Sequence, residues 1–340
     1  MKTNTILKPL TACLAILFYT LGYAADPYEV NKSLGRGVNL GNALDAPNEG
    51  EWGVTLKAEY FDMIKEAGFD SIRLPVRWSA HASAEPPYTI DPKFMERVEW
   101  AVGQALSRDL PVILNLHHYR EIYADPSQYH HDRYLGLWKQ IAPRFRNYSE
   151  KLVFELMNEP DEAFTPEMWN EWLVEALAIV RESNPDRTVL IGPGEDNIAA
   201  YLKELKLPKD DRNIIVTIHN YHPIPFTHQG AEWISWADSS EWLGMTWGSE
   251  DERQALLKEM DVAADWGKAH DRPMNLGEFG SIRMADMESR ARWTKAMADA
   301  AVERGMSFHY WEFCAYWFGV WDEELGRYNE PILHALIPAE

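Results

Sequence analysis

Eight short apolar runs recur along the chain, each ended by polar or helix-breaking residues. They begin near Gly37 (GVNLGN), Asp70 (DSIRLP), Pro111 (PVILNLHH), Leu152 (LVFELMNE), Thr188 (TVLIGP), Asn213 (NIIVTIHNY), Pro273 (PMNLGEFG) and Ser307 (SFHYWEF). Runs of this length read as buried parallel strands. A helix-like segment is expected after each. Asp91-Pro92 and Thr165-Pro166 pair an N-cap residue with a first-turn proline. Phe94, Met95, Val98, Val102 and Leu106 then fall on one helix face, as do Trp169, Trp172, Leu173, Ala176, Leu177 and Val180. Ser249 and Glu252 have capping-box spacing, and Gly68 and Gly305 are placed to stop helices.

Eight strand–helix units predict an α/β fold, a (β/α)8 barrel formed by one domain over residues 25–340. A doubly wound open sheet fits less well, since no glycine-rich phosphate turn follows any strand. No linker or low-complexity tract points to an appended module. One inter-strand stretch is long. It holds Trp233, Trp236, Trp242 and Trp247 between His222 and Gly248. A long loop in a compact domain is more often functional than accidental, and this one is expected over the carboxyl end of the barrel.

The first two dozen residues depart from the pattern. Lys2 and Lys8 precede an uncharged apolar run from Leu10 to Leu21, and Gly22-Tyr23-Ala24 supplies small residues two apart. This is the form of a secretory signal cut after Ala24, which predicts a secreted or periplasmic protein. The segment carries two lysines and no acid, so its loss takes the formal charge from −20 to −22. Such a surface repels nucleic acid and anionic lipid and suits a neutral partner. Only Cys314 would remain, so an intramolecular disulfide is excluded. Fifteen Trp and fifteen Tyr are many for 340 residues. Most must pack the core, but aromatic faces also suit the C–H faces of pyranose rings. No membrane contact is expected after cleavage, and the sequence carries no signal for an oligomeric state.

Polar residues gather where the strands end: Asn39 and Asn42, Arg73, His117 and His118, Asn158 and Glu159, His219 and Tyr221, Glu278, Trp311 and Glu312. Glu159 and Glu278 stand out. A carboxylate at the end of a buried strand is costly to desolvate without a task or a partner. Two such groups suit glycoside hydrolysis, in which one protonates the departing sugar oxygen and the other stabilises or traps the oxocarbenium-like centre. Each residue alone has a plainer reading. Arg73 fits half of a structural ion pair, and a lone histidine fits a hydrogen-bonded core residue. Glu155 lies on the same strand face as Glu159 by period two and reads as a paired acid deeper in the barrel. His130-His131 reads as a loop pair flanking a helix.

The run LVFELM-Asn158-Glu159-Pro160, with Glu278 in LGEFG, resembles glycoside hydrolase family 5. GVNLGNALDAPNEGEWG, SIRLP, LNLHHY, HNYH and YWEF agree in order, and the likeness runs from about Gly35 to Ile337. It is similar to the bacterial cellulases of that family, including barrels that accept β-mannan. The resemblance implies a retaining endo-β-1,4-glucanase with no cofactor and no metal, acting on a β-1,4-linked polysaccharide. By that resemblance Glu159 is the acid/base and Glu278 the nucleophile. Asn158 would bond the sugar 2-hydroxyl, Arg73 and Tyr221 would hold Glu278 ionised, and His219 would tune Glu159. His117 and His118 would bind sugar before the scissile bond, and Trp311 would stack beneath it. His228 and Trp233 would touch substrate beyond it, and Asn39 and Glu312 complete the expected substrate-binding set. Two other classes remain open on the residues alone. A metal-dependent barrel hydrolase could draw ligands from His117, His118, His219, His222 and the glutamates. A sugar-binding barrel without activity would typically have lost one of the two acids.

Overall fold

The computed structural model describes residues 26–338; the expected signal segment lies outside them. All eight strands form where the apolar runs begin, and they close into one parallel barrel in chain order. They are β1 (Arg36–Asn39), β2 (Ser71–Leu74), β3 (Val112–Asn115), β4 (Leu152–Glu155), β5 (Val189–Ile191), β6 (Ile214–His219), β7 (Met274–Phe279) and β8 (Ser307–Tyr310). A hairpin, β9 (Trp321–Asp322) and β10 (Arg327–Tyr328), follows β8.

The helices are α1 (Pro27–Leu34), α2 (Ala58–Glu66), α3 (Pro92–Ser107), α4 (Arg120–Ala124), α5 (Gln128–Arg144), α6 (Pro166–Ser183), α7 (Ile224–Thr227), α8 (Glu250–His270), α9 (Met287–Glu303) and α10 (Glu330–Leu336). Local chemistry sets their ends. The side chains of Asp91 and Thr165 accept hydrogen bonds from the Lys93 and Met168 amides. Ser249 and Glu252 complete the capping box of α8. One expected helix is missing: only a six-residue 3-10 segment, Ala199–Glu204, follows β5. His130 and His131 also depart from expectation. They sit in the first turn of α5, where His130 meets the Tyr119 hydroxyl and His131 meets Glu175.

The main apolar core lies between the barrel and its helices, with Val38, Ile72, Leu74, Val112, Leu114 and Phe154 on the strand side. The barrel interior is different. Ile113, Val153, Leu190 and Ile215 form a small apolar layer that Val30 and Leu34 of α1 complete. The rest of the interior is polar and hydrogen-bonded. Thr217 donates to Asn275, Asn275 donates to Ser307, and Ser71 meets His309. Each partner satisfies a buried group that would otherwise cost free energy. Gly37 opens space for this layer, because a Cβ there would lie 2.3 Å from the His309 ring.

A stability test isolates the clearest local rule. Ser249→Ala removes one arm of the capping box on an exposed helix end. It is expected to cost about 1 kcal/mol in urea unfolding, with activity per folded molecule unchanged.

Candidate active site

Arg73 projects from β2 into the polar interior and is fully buried. All five of its N–H groups are used. Nε donates to Glu155 Oε2 at 2.7 Å. Nη2 donates to Glu155 Oε1 and to Asn158 Oδ1, both at 2.7 Å. Nη1 donates to Asn39 Oδ1 at 2.9 Å and to Glu278 Oε1 at 2.5 Å. One guanidinium therefore joins β1, β2, β4 and β7. Glu155 is the paired acid that strand period two suggested.

Glu278 stands on β7, where a register shift between Ile218 and His219 pairs His219 with Glu278 across β6 and β7. Its Oε1 takes the Arg73 bond and its Oε2 takes one from the Tyr221 hydroxyl at 2.9 Å. Burial raises its pKa, the positive charge of Arg73 opposes that rise, and the charge of Glu159 adds to it.

Glu159 lies just beyond β4 with φ of 44°, in the left-handed region. The turn brings its carboxylate back over the barrel, where Oε1 meets His219 Nδ1 at 2.6 Å and Oε2 accepts from Asn158 Nδ2 at 3.1 Å. Among the described residues, no lysine or arginine pairs with it. Burial raises its pKa above the usual carboxylate range, with the more distant Arg73 acting against the rise. His219 is held down to about 4, chiefly by burial, and so is neutral at pH 7. Oxygen atoms of Glu159 and Glu278 lie within 4.8 Å of each other. The side chain of Glu159 is 26% exposed and that of Glu278 only 5%. The arrangement thus holds one carboxyl against a cation and a phenol, and the other against a neutral imidazole.

Aromatic and imidazole rings extend from this pair. Trp311 lies nearly parallel to the His117 ring, centroids 5.7 Å apart. His117 meets His118 edge-on at 4.2 Å, and His118 meets Trp52 at 5.3 Å. Burial keeps both histidines neutral, lowering His117 strongly and His118 to about 3. Elsewhere, His228 packs edge-on to Tyr221 at 5.1 Å and to Trp233 at 6.2 Å. Trp233 is 48% exposed and lies against Trp317. Two glycines admit the Trp311 ring and its carbonyl. A Cβ on Gly41 would lie 2.7 Å from the ring, and one on Gly280 would lie 2.3 Å from the Trp311 carbonyl oxygen.

Two expected substrate contacts need correction, because Asn39 and Glu312 have no exposed surface; Arg73, equally buried, is out of reach of substrate and meets Glu278, the partner the resemblance gave it. Asn39 donates to the carbonyls of Gly277, His309 and Tyr310 and accepts from Arg73. Glu312 turns inward and accepts from the amides of Cys314 and Ala315. These residues shape the floor rather than touch a ligand. His222, a candidate metal ligand, instead faces Glu259 at 3.2 Å. Two groups of ligand-capable side chains do come together: Glu159 with His219 and Glu278, and Asp45 with His117 and His118. Trp52, Asn115 and Asn197 also adjoin these groups and Trp317 adjoins Trp233; the sequence alone assigns none of them a role. Asn115 bonds His117 Nδ1 at 3.0 Å from inside an apolar run.

The family model for Cellulase (glycosyl hydrolase family 5) matches residues 34–316. The chain belongs to glycosyl hydrolase family 5. Within that family, Endoglucanase H of Acetivibrio thermocellus is 39% identical over 306 residues, covering 90% of this chain and 32% of that protein. Cellulase/esterase CelE of the same organism is 31% identical over 302 residues, covering 83% of this chain and 36% of its own length. This family 5 chain therefore spans about a third of the length of those curated relatives. Among solved structures, Cel5A of Thermotoga maritima, described in complex with cellobiose and with mannotriose, is 49% identical. It superposes with a TM-score of 0.89 over 92% of this chain and all of its own.

Arg73→Met should leave Glu155 and Glu278 buried without their cation. The expected loss is about 3–5 kcal/mol at pH 7. Burial already raises the folded-state pKa of Glu278, and without the opposing charge of Arg73 it would lie further above the unfolded value. The Glu278 share of the loss should then be full at high pH and shrink as pH falls through that raised value and Glu278 takes up a proton. Urea unfolding at pH 7 and pH 5 measures it; a deficit equal at both would remove the electrostatic explanation.

Proposed function

We propose that this protein is a retaining endo-β-1,4-glucanase that cuts internal bonds of cellulose and soluble β-glucans. One observation carries the reading. Two glutamates with oxygens within 4.8 Å have opposite surroundings, Glu278 against Arg73 and Tyr221, Glu159 against neutral His219. Retaining enzymes place their carboxyl groups roughly 5–5.5 Å apart, too close for an intervening water.

In this mechanism Glu278 attacks the anomeric carbon. Arg73 and Tyr221 keep it ionised and leave its orientation no freedom. Glu159 begins protonated, gives its proton to the departing sugar oxygen, and later takes one from the attacking water. A raised pKa suits the first step, and its bond to His219 keeps the carboxylate oriented for the second. Asn158, held by Arg73 on one side and donating to Glu159 on the other, is placed to read the sugar 2-hydroxyl. Trp311, His117 and His118 would hold the sugar before the scissile bond, and His228 and Trp233 the sugar beyond it.

A second activity on β-mannan is also supported. Cel5A of Thermotoga maritima, 49% identical, is described with mannotriose as well as cellobiose. Mannose differs from glucose at the 2-hydroxyl, so Asn158 would have to serve both configurations. The neutral polysaccharide partner suits the acidic surface. No helix among the described residues is long and apolar enough to cross a membrane. A removable signal over residues 1–24 would deliver the 25–340 catalytic domain to the periplasm or the medium.

Cleavage mode and substrate choice are read together on carboxymethyl cellulose, barley β-glucan and glucomannan. Viscosity of carboxymethyl cellulose should fall much faster than reducing ends accumulate. Equal pace, with one dominant disaccharide from the start, would mean an exo mode.

Azide separates the two carboxyl roles. In Glu159→Ala the nucleophile remains, so an activated aryl glycoside should stall as a covalent intermediate and azide should restore turnover as the β-azide. In Glu278→Ala no intermediate should form, and any rescue should give the α-azide by single displacement. Exchanged products would reverse the two assignments, and inversion by the unmutated enzyme would sink the retaining mechanism.

A further inference from the structure

The imidazole beside Glu159 has a second partner. His219 Nδ1 faces Glu159, while Nε2 faces the Asn197 side-chain nitrogen at 3.4 Å. Asn197 is fully buried and belongs to no helix or strand. Its placement is nonetheless fixed. Glu195, Asp196 and Asn197 all have left-handed backbones, with φ of 55°, 56° and 57°. The Asp196 amide donates to the Pro160 carbonyl, next to Glu159. The Asn197 carbonyl accepts from the His219 amide at 3.0 Å, and Ile198 bridges to His219. Gly192 is required by the same side chain, since a Cβ there would lie 2.2 Å from Asn197 Oδ1. Three consecutive non-glycine residues in this region are costly and persist only where the surroundings impose them.

A neutral imidazole carries one N–H, and the bond made by one ring nitrogen decides which nitrogen holds it. We propose that Asn197 is a positioning residue that fixes the His219 tautomer and thereby directs the proton of Glu159 toward the substrate. The amide nitrogen donates to Nε2, so the ring N–H sits on Nδ1 and points at Glu159 Oε1. That oxygen is then an acceptor. The acidic proton of Glu159 must sit on Oε2, away from the imidazole. Were Nε2 protonated instead, Nδ1 would draw the Glu159 proton to Oε1 and hold it away from the leaving oxygen. The inference rests on Glu159 being the acid.

Other charges surround the pair. Glu159 feels Arg73 and Glu155 from the strands, Arg120 from α4, and the nearby Glu278, Asp196 and Tyr123. His219 feels Glu278, Arg73 and Glu155, and it also faces His117. None of these groups accepts a bond from His219 Nε2, so the tautomer choice falls to Asn197.

Two variants test this. Asn197→Asp replaces the donor with an acceptor, and Asn197→Gly removes the side chain while tolerating the left-handed backbone. Nitrogen NMR of ring-labelled protein, with the His219 signals assigned by their loss in His219→Gln, reads the tautomer without reference to activity. The unmodified protein should show the proton on Nδ1, and Asn197→Asp should show it on Nε2 or on both nitrogens. In both variants kcat/KM on β-glucan should fall by about tenfold or more, within the reach of general acid catalysis. A dinitrophenyl cellobioside, which needs no acid for departure, should change little. With its proton on Nε2 in Asn197→Asp, the basic limb of the pH profile should move up, because the Glu159 carboxylate loses its Nδ1–H donor and gains a neighbouring negative charge. A resting proton on Nε2, or folded variants with unchanged leaving-group dependence, would overturn the proposal. A failed azide assignment at Glu159 would instead remove the acid reading and leave the tautomer result standing.

Discussion

The saturated guanidinium of Arg73 is the constraint on which the site depends. A buried cation with five donors needs five acceptors, and this one has them on Glu155, Asn158, Asn39 and Glu278. Glu155 supplies a bidentate partner, which orients the planar group as well as balancing charge. With that orientation set, the remaining Nη1 and Nη2 bonds fix Glu278 and Asn158. Asn158 in turn donates to Glu159. The positions of both glutamates thus trace back to one side chain on β2. Buried ion pairs often contribute little net stability; here the pair supplies geometry.

That geometry requires the barrel to be polar inside. An interior filled by branched apolar residues would leave no room for Arg73 and no acceptors for it. The chain confines its interior apolar layer to Ile113, Val153, Leu190 and Ile215, next to α1, and gives the remaining interior to hydrogen-bonded side chains. Stability then comes mainly from the larger core between strands and helices. The two cores divide the work: the outer one holds the fold, and the inner one holds the charges.

Much of this was legible in the sequence. Each strand begins within a residue or two of its apolar run, because burial on both faces leaves a continuous signal. Asp91, Thr165 and Ser249 marked helix starts, since capping is a local interaction. Glu159 and Glu278 were legible as acids at strand ends. The inner network was less so. In the four-residue strands β2 and β3, Arg73 and Asn115 each break an apolar run once, which does not say which face points inward. Glu312 follows β8 like a site residue, yet the chain turns and two backbone amides claim it. Asn197 gave no signal at all: its role comes from a left-handed turn that returns to β6, and no periodicity encodes that.

The central claim is a division of protonation states set by surroundings: Glu278 ionised beside Arg73, Glu159 protonated beside a neutral imidazole. The most direct measurement is carbon-13 NMR titration of the glutamate side-chain carboxyls, with the two signals assigned from Glu159→Gln and Glu278→Gln. The account predicts that near pH 6 the Glu278 carboxyl has the chemical shift of a carboxylate while Glu159 still carries its proton. A Glu159 that ionises first, with Glu278 protonated at the same pH, would contradict it.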